Sequence, residues 1–228
     1  MQGPGILVPS AVIILFGFLL TSVGCKKAPP PTLPAPAGKN ASGSVNFDAA
    51  PMGALPLGWR AGVTGTGSPI WSVVPDATAP SRPNVLKQSG AGTFPWCVKK
   101  DVSFNEGIVE VKFKPIAGNE DQAGGLVWRW KDADTYYVTQ ANALENNVAI
   151  YHTVEGKRTA FKTVNAKVAP NQWHTLRVDF KGKEFVVTFD GRALIQVEDG
   201  TISGPGAIGV WTKADSVTVF DDFSFSGK

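Results

Sequence analysis

The residues best suited to chemistry lie between Trp128 and Asn147. The run GGLVWRWKDADTYYVTQANALENN sets Trp128, Arg129 and Trp130 side by side. In an extended strand successive side chains alternate, so Trp128 and Trp130 are expected on one face and Arg129 on the other. An indole offers a flat apolar face for C–H groups and an N–H donor at its rim, a good platform for a hydroxyl-rich ligand. Arg129 cannot enter a core unpaired, so its face is expected to be the wet one. Gln140, Asn142, Glu145 and Asn147 follow within eight residues. Amides both donate to and accept from hydroxyls, and Glu145 is the nearest acid. Plainer roles suit the same residues: aromatics fill cores, and Asn and Asp bond local backbone in turns. Lys213 and Asp215 follow Trp211 and either line the same groove or form a turn with a surface ion pair.

Other chemistries are disfavoured. The two histidines, His152 and His174, are far apart and lack ligand-spaced companions, which argues against a zinc site or a Ser-His-Asp triad. No glycine-rich phosphate loop precedes a helical pattern, so no nucleotide cofactor is indicated and none is required. Twenty-two Lys and Arg against 19 Asp and Glu leave a net charge of +3, without a basic stripe for nucleic acid. Of the two cysteines, Cys97 has no expected partner and reads as a small buried hydrophobe.

The elements that must position these residues are strands. Val109, Val111 and Phe113 alternate with Glu110 and Lys112; Leu176, Val178 and Phe180 alternate with Thr175, Arg177 and Asp179. Phe185, Val187 and Phe189 share a face. Asp190-Gly191 is a strong hairpin signal, and Glu155-Gly156 and Lys181-Gly182 mark further reversals. About twelve short strands with glycine turns predict an all-β fold, a two-sheet antiparallel β-sandwich or jelly roll. The terminal strands near Phe47 and Phe223 are expected to pair.

The first 45 residues do not fit a core. Residues 1–25 read as a signal or lipobox leader, with an apolar run from Ile6 to Val23 ending at Gly24-Cys25. Cys25 is the expected lipidation site, although Ser22 stands where a lipobox usually has Leu and no basic segment precedes the run. An uncleaved anchor and a plain cleaved signal are the alternatives. Residues 26–45, with Pro29, Pro30, Pro31, Pro34 and Pro36, read as a disordered stalk of polyproline type, extending about 3.1 Å per residue. This organisation implies a lipoprotein of a bacterial cell envelope, facing periplasm or cell surface, with one globular domain over residues 46–228.

The run GGLVWRWKDADTYYVTQANALENNVAIYHTVEGKRT, with NQWHTLRVDFKGKEFVVTFDGR and GAIGVWTKADSVTVFDDFSF, resembles the concanavalin A-like lectin/glucanase superfamily. Within it the chain is similar to bacterial 3-keto-disaccharide hydrolase domains, also called family-sixteen-like glycoside hydrolases. The resemblance implies a concanavalin A-like sandwich that binds or processes a glycan on the concave face of its larger sheet. It also implies a structural calcium near the paired termini, for which Asp48 and Asp222 are the candidates. Laminarinase-type relatives carry Glu, Asp and Glu at alternate strand positions; this sequence has no such run, so a retaining pair of that type is not expected. The 3-keto-disaccharide hydrolase-like proteins often read Ile-Phe-Leu-Arg, then Tyr-Glu-Val-Gln. Leu126-Val127-Trp128-Arg129 matches the first, and Tyr136-Tyr137-Val138-Thr139 falls at the second, with Tyr137 in place of the Glu. The implied site therefore comprises Trp128, Arg129, Tyr137, Gln140, Asn142, Asn147, Trp211 and Lys213, with Glu145 as the catalytic candidate. A glycan-binding module, a 3-keto-glycoside hydrolase or lyase, and a laminin-G-like structural or protein-interaction domain are the competing functions. An enzyme needs Glu145 turned inward beside Arg129 or Tyr137.

Overall fold

The structure, a computed structural model, describes residues 1–3, 5 and 41–228. The apolar leader from Ile6, the lipidation candidate Cys25 and the proline-rich stalk up to Asn40 lie outside the described residues. Those described form fifteen strands and no helix.

The strands are β1 (Ala41–Val45), β2 (Trp59–Ser68), β3 (Trp71–Pro75), β4 (Asn84–Gln88) and β5 (Ala91–Phe104). Next come β6 (Gly107–Ala117), β7 (Ala123–Asp132), β8 (Thr135–Asn142), β9 (Asn147–Val154) and β10 (Lys157–Asn165). The last are β11 (His174–Lys181), β12 (Glu184–Phe189), β13 (Arg192–Glu198), β14 (Gly206–Trp211) and β15 (Val217–Gly227). All pair antiparallel in two sheets. One runs β13-β12-β11-β6-β15-β4-β3, with β1 added on β15; the other runs β10-β9-β8-β7-β14-β5-β2. The protein is an all-β sandwich of jelly-roll type.

The twelve strands expected from alternation are present. Missing from that reading were β2, rich in Gly and Thr, and β5, whose apolar residues do not alternate across Pro95 and Lys99-Lys100-Asp101; the terminal strand expected near Phe47 lies earlier, as β1. The last five residues assigned by composition to the stalk form β1. It is held by the half of β15 that β4 does not reach, pairing Val45 with Phe223 and Ala41 with Gly227. Open backbone groups on β15, rather than apolar side chains in β1, recruit this strand. Gly43 is required there, because a Cβ would lie 2.9 Å from the Phe225 ring. At the expected hairpin, Asp190 and Gly191 have φ of 45° and 78°, as a type I′ turn demands.

The main core lies between the sheets, where Phe113, Val178, Phe185 and Phe220 meet Leu126, Trp128, Tyr137 and Ile150. A second apolar cluster covers the opposite face of the seven-stranded sheet: Trp96, Trp130, Tyr136, Val138, Tyr151 and Trp211 are among its members. That sheet is curled. Five strand spacings of about 4.8 Å would put β10 roughly 24 Å from β5 if it were flat. Yet the Arg158 guanidinium on β10 lies 4.3 Å from the centre of the Phe94 ring on β5. The curl turns this outer face into a hollow.

Candidate functional site

The strand that carries Trp128 breaks its own alternation. Arg129 has a left-handed φ of 47°. Between the pairs Trp128↔Tyr137 and Asp132↔Thr135, three residues of β7 oppose one of β8. Gly206 makes room for this bulge, since a Cβ there would lie 2.4 Å from the Arg129 carbonyl carbon. A bulge shifts the side-chain parity of the residues beyond it. Trp128 therefore faces the inter-sheet core and Trp130 faces the hollow, against the expectation that they share a face.

Arg129 is also not where alternation puts it. It is 3% exposed, and its guanidinium donates to the carbonyls of Gly182 (2.6 Å), Ile202 (3.0 Å) and Asn105 (3.3 Å). It packs 5.5 Å from the Phe185 ring centre and 5.9 Å from that of Phe180. Arg129 thus ties three loops over one end of the core, and its hydrogen bonds are spent on backbone. Tyr137 is buried as well, stacked on Trp128 at 5.4 Å, with its hydroxyl donating to Asp199 and accepting from the Ile202 N–H at 2.9 Å. The position that the resemblance gives to a Glu holds this phenol, and Asp199 from another loop supplies the carboxylate. Trp128, Arg129 and Tyr137 form one packed unit turned away from the hollow.

The other candidates converge on the hollow. Gln140, Asn142 and Asn147 lie on the strand face of Tyr136, Val138 and Tyr151, and Trp211 on that of Ala207. Asn142 is buried and donates to the Asp121 carboxylate at 2.5 Å, while its own oxygen caps the following turn through the N–H of Leu144 at 3.0 Å. Lys213 stands between two carboxylates, 2.9 Å from Asp121 Oδ1 and 3.1 Å from Glu145 Oε1. Asn147 donates to the other Glu145 oxygen at 2.9 Å. Asp215 does not bridge to this group. It accepts the backbone N–H groups of Asn119, Glu120 and Asp121 (2.6–3.1 Å) and so fixes the loop that presents Asp121. Asp121 escaped the sequence reading, because in GNEDQAGG it looks like any turn acid.

The electrostatics follow from these contacts. Burial alone would raise the Glu145 carboxyl, but bonds from Asn147 and Lys213 and the charges of Lys213 and Arg158 outweigh it and hold it below the usual carboxylate range. Burial likewise disfavours the Lys213 ammonium, and its two carboxylate partners reverse that and raise it. Asp121 and Lys213 of this group edge a cleft of about 520 Å³, walled also by Thr66, Thr93, Phe94 and Glu120. On the same sheet face, Gln140 Oε1 and Asn147 Oδ1 are buried without a protein partner.

Among the described residues no group of three His, Cys, Asp or Glu is arranged to hold a metal. Asp48 and Asp222, the calcium candidates, have separate commitments. Asp48 accepts from the Asn46 amide (2.8 Å) and the Asn84 N–H (3.0 Å), and Asp222 pairs with Lys112 at 2.8 Å. This arrangement does not fit a shared cation. His174 is structural, between Asp190 (2.7 Å) and the Ala169 carbonyl (2.9 Å). Cys97 is buried and free, and its burial pushes the thiol well above the usual range.

A family model described as a 3-keto-alpha-glucoside-1,2-lyase-like domain matches residues 53–225. The chain belongs to this family. No curated protein matches the chain. This lyase-like domain is similar in structure to the carbohydrate binding module CBM66 from Bacillus subtilis, at 19% identity and a TM-score of 0.61 over 77% of this chain and 97% of that one. The Bacillus licheniformis beta-glucanase is similar at 14% identity and a TM-score of 0.56, over 82% and 98%. A prokaryotic beta-1,3-1,4-glucanase (lichenase) derived from a mouse hindgut metagenome gives 12% identity and a TM-score of 0.55, again over 82% and 98%. At these identities the likeness shows a shared fold, the concanavalin A-like sandwich.

Proposed function

We propose that this lyase-like domain recognises a glycan in the cleft beside Lys213, and that it works tethered to a bacterial envelope through Cys25 and the proline-rich stalk. The observation that carries the reading is the Asp121–Lys213–Glu145 bridge beside a cleft that Phe94 lines. Charged donors and acceptors fixed by one another form short, directional bonds to sugar hydroxyls, and half-buried Phe94 lines the cleft with an apolar ring edge for sugar C–H groups. Family membership and the sugar-binding and glucan-cleaving names of the structural relatives support the same ligand class.

Recognition is favoured over turnover by the state of the carboxylates. A 1,2-elimination from a 3-keto glycoside removes the C2 proton, made acidic by the C3 ketone, and expels the C1 substituent. The base must be free to take that proton. Glu145 is engaged by Lys213 and Asn147, and Asp121 by Lys213 and Asn142. Held below the usual carboxylate range by Asn147 and Lys213, Glu145 accepts hydrogen bonds well and protons poorly. Turnover is the second reading and rests on the family assignment, with Lys213 as the donor to a ketone oxygen.

A glycan screen and a 3-keto-glucoside turnover assay on the intact chain separate these readings. Binding without turnover, lost in Lys213→Met, is the expected result. Turnover abolished by Glu145→Gln establishes the second reading instead. Blank results in both assays reject the carbohydrate assignment and leave a structural or protein-interaction domain. For the tether, labelled fatty acid should enter the wild-type chain and not Cys25→Ser.

A further inference from the structure

The hollow of the seven-stranded sheet is bridged by its own side chains in two places. On one side, Thr64 of edge strand β2 meets Tyr136 of β8, with 2.7 Å between Thr64 Oγ1 and the phenolic oxygen, and Thr64 also donates to the Ala133 carbonyl. These strands are four spacings apart along the sheet, roughly 19 Å if it were flat. On the other, the Arg158 guanidinium of edge strand β10 is clamped between rings: 4.3 Å from the centres of both Phe94 and Tyr151, and 5.4 Å from that of Trp211. No carboxylate pairs with Arg158 among the described residues, and its Nη1 has no hydrogen-bond partner. It is held by ring faces, a cation–π arrangement that strengthens where water is excluded.

A sugar polymer running across the concave face needs the width of the hollow, and it would stack where Arg158 now stacks. The open volume lies to one side of the bridge, at the Asp121–Lys213 cleft of about 520 Å³. We infer that Arg158, with the Thr64–Tyr136 contact, closes the hollow to a through-running chain, so that the site admits only the end of a glycan. This rests on the reading of the cleft as a sugar site. It makes Arg158 a specificity-determining residue rather than a ligand: its removal uncovers Phe94, Tyr151 and Trp211 as a continuous platform and lengthens the groove.

Linear and ring-closed glucans of one linkage separate end recognition from internal recognition, because a closed ring has no end. The probes are maltoheptaose against β-cyclodextrin, and linear against cyclic β-1,2-glucan, titrated into the intact chain by calorimetry. The wild-type chain is expected to bind the linear form at least about tenfold more tightly than its cyclic counterpart. Arg158→Ala is expected to reduce that ratio to about threefold or less by gaining affinity for the ring. Arg158→Met, which keeps the apolar stem, is the companion variant, and near-ultraviolet dichroism reports whether the tryptophans stay packed. Equal wild-type affinity for ring and linear forms overturns the inference while leaving the sugar site intact. So does a folded Arg158→Ala that still excludes the ring. If neither variant folds, the wild-type ratio alone decides. Failure of every linear and cyclic glucan to bind removes the sugar reading and this inference with it.

Discussion

Trp128 and Trp130 stand two residues apart on one strand and serve opposite faces of one sheet. Trp128 stacks on Tyr137 in the dry layer between the sheets, beside an arginine whose donors all go to loop carbonyls. Trp130 packs on Trp96 at 5.2 Å on the outer face, where Asn142, Asp121, Lys213 and Glu145 continue the surface to the cleft. Both faces bury aromatics and both hold an arginine against rings. They differ in what the polar groups bond. On the inner face these bonds close loops over the core. On the outer face side chains bond one another at the mouth of a cleft, within reach of a ligand.

The comparison breaks most visibly in stability. Trp128→Ala should cost about 3–5 kcal/mol, because a fully buried indole leaves a cavity among Tyr137, Phe180 and Phe185. Denaturant unfolding followed by tryptophan fluorescence measures it, and a loss below about 1 kcal/mol would place Trp128 outside the core. Arg129→Met should cost roughly 2–3 kcal/mol, since buried loop carbonyls lose their donors while part of the packing remains. Glycan affinity of the folded fraction should change little in either variant.

The hollow should respond the other way. Lys213→Met is expected to weaken glycan binding about ten- to a hundredfold at a smaller cost in stability than Trp128→Ala, because the Glu145 contact is partly exposed and the buried Asp121 carboxylate keeps the Asn142 amide. Binding and melting curves on the same preparation would show the split. The smallest effect belongs to Glu145. Its carboxyl lies below the ordinary value of 4.5 in the folded state. The contribution of the Lys213–Glu145 contact is therefore complete above about pH 4.5 and lost as pH falls through the lower folded value. Glu145→Gln should flatten that acid limb of the stability curve by a few tenths of a kcal/mol, and an unchanged acid limb would remove Glu145 from the bridge.

Alternation in sequences such as IVEVKF and HTLRVDF made the strands and the sandwich legible. One face of each is buried, and period two is a physical consequence of the pleat. The site was legible only in part. Glu145, Gln140, Asn142, Asn147, Trp211 and Lys213 could be singled out as candidates because amides, acids and aromatics cluster around two strand ends, and the structure gathers them on one side of the sheet. Trp128, Arg129 and Tyr137 went to the other face because alternation fails at a left-handed non-glycine residue, which no local pattern announces; Gly206 across the sheet was the only mark of it. Asp121 and Arg158 were missed for a different reason. Arg158 joins the site through curvature of the whole sheet, which brings β10 against β5, and Asp121 through the pairing of β14 with β7, which sets the loop before β7 beside the turn after β14. Curvature of that kind depends on long-range pairing and has no counterpart in residue spacing.

The most direct test is a crystal structure of the chain with a bound oligosaccharide from the screen. Sugar oxygens within hydrogen-bond distance of Lys213 and Asp121, with the ring at the exposed edge of Phe94, are the expected result. A sugar seated instead in the roughly 210 Å³ cleft beside Arg129, against Gly182 and Ser203, would contradict the assignment of the hollow as the functional face.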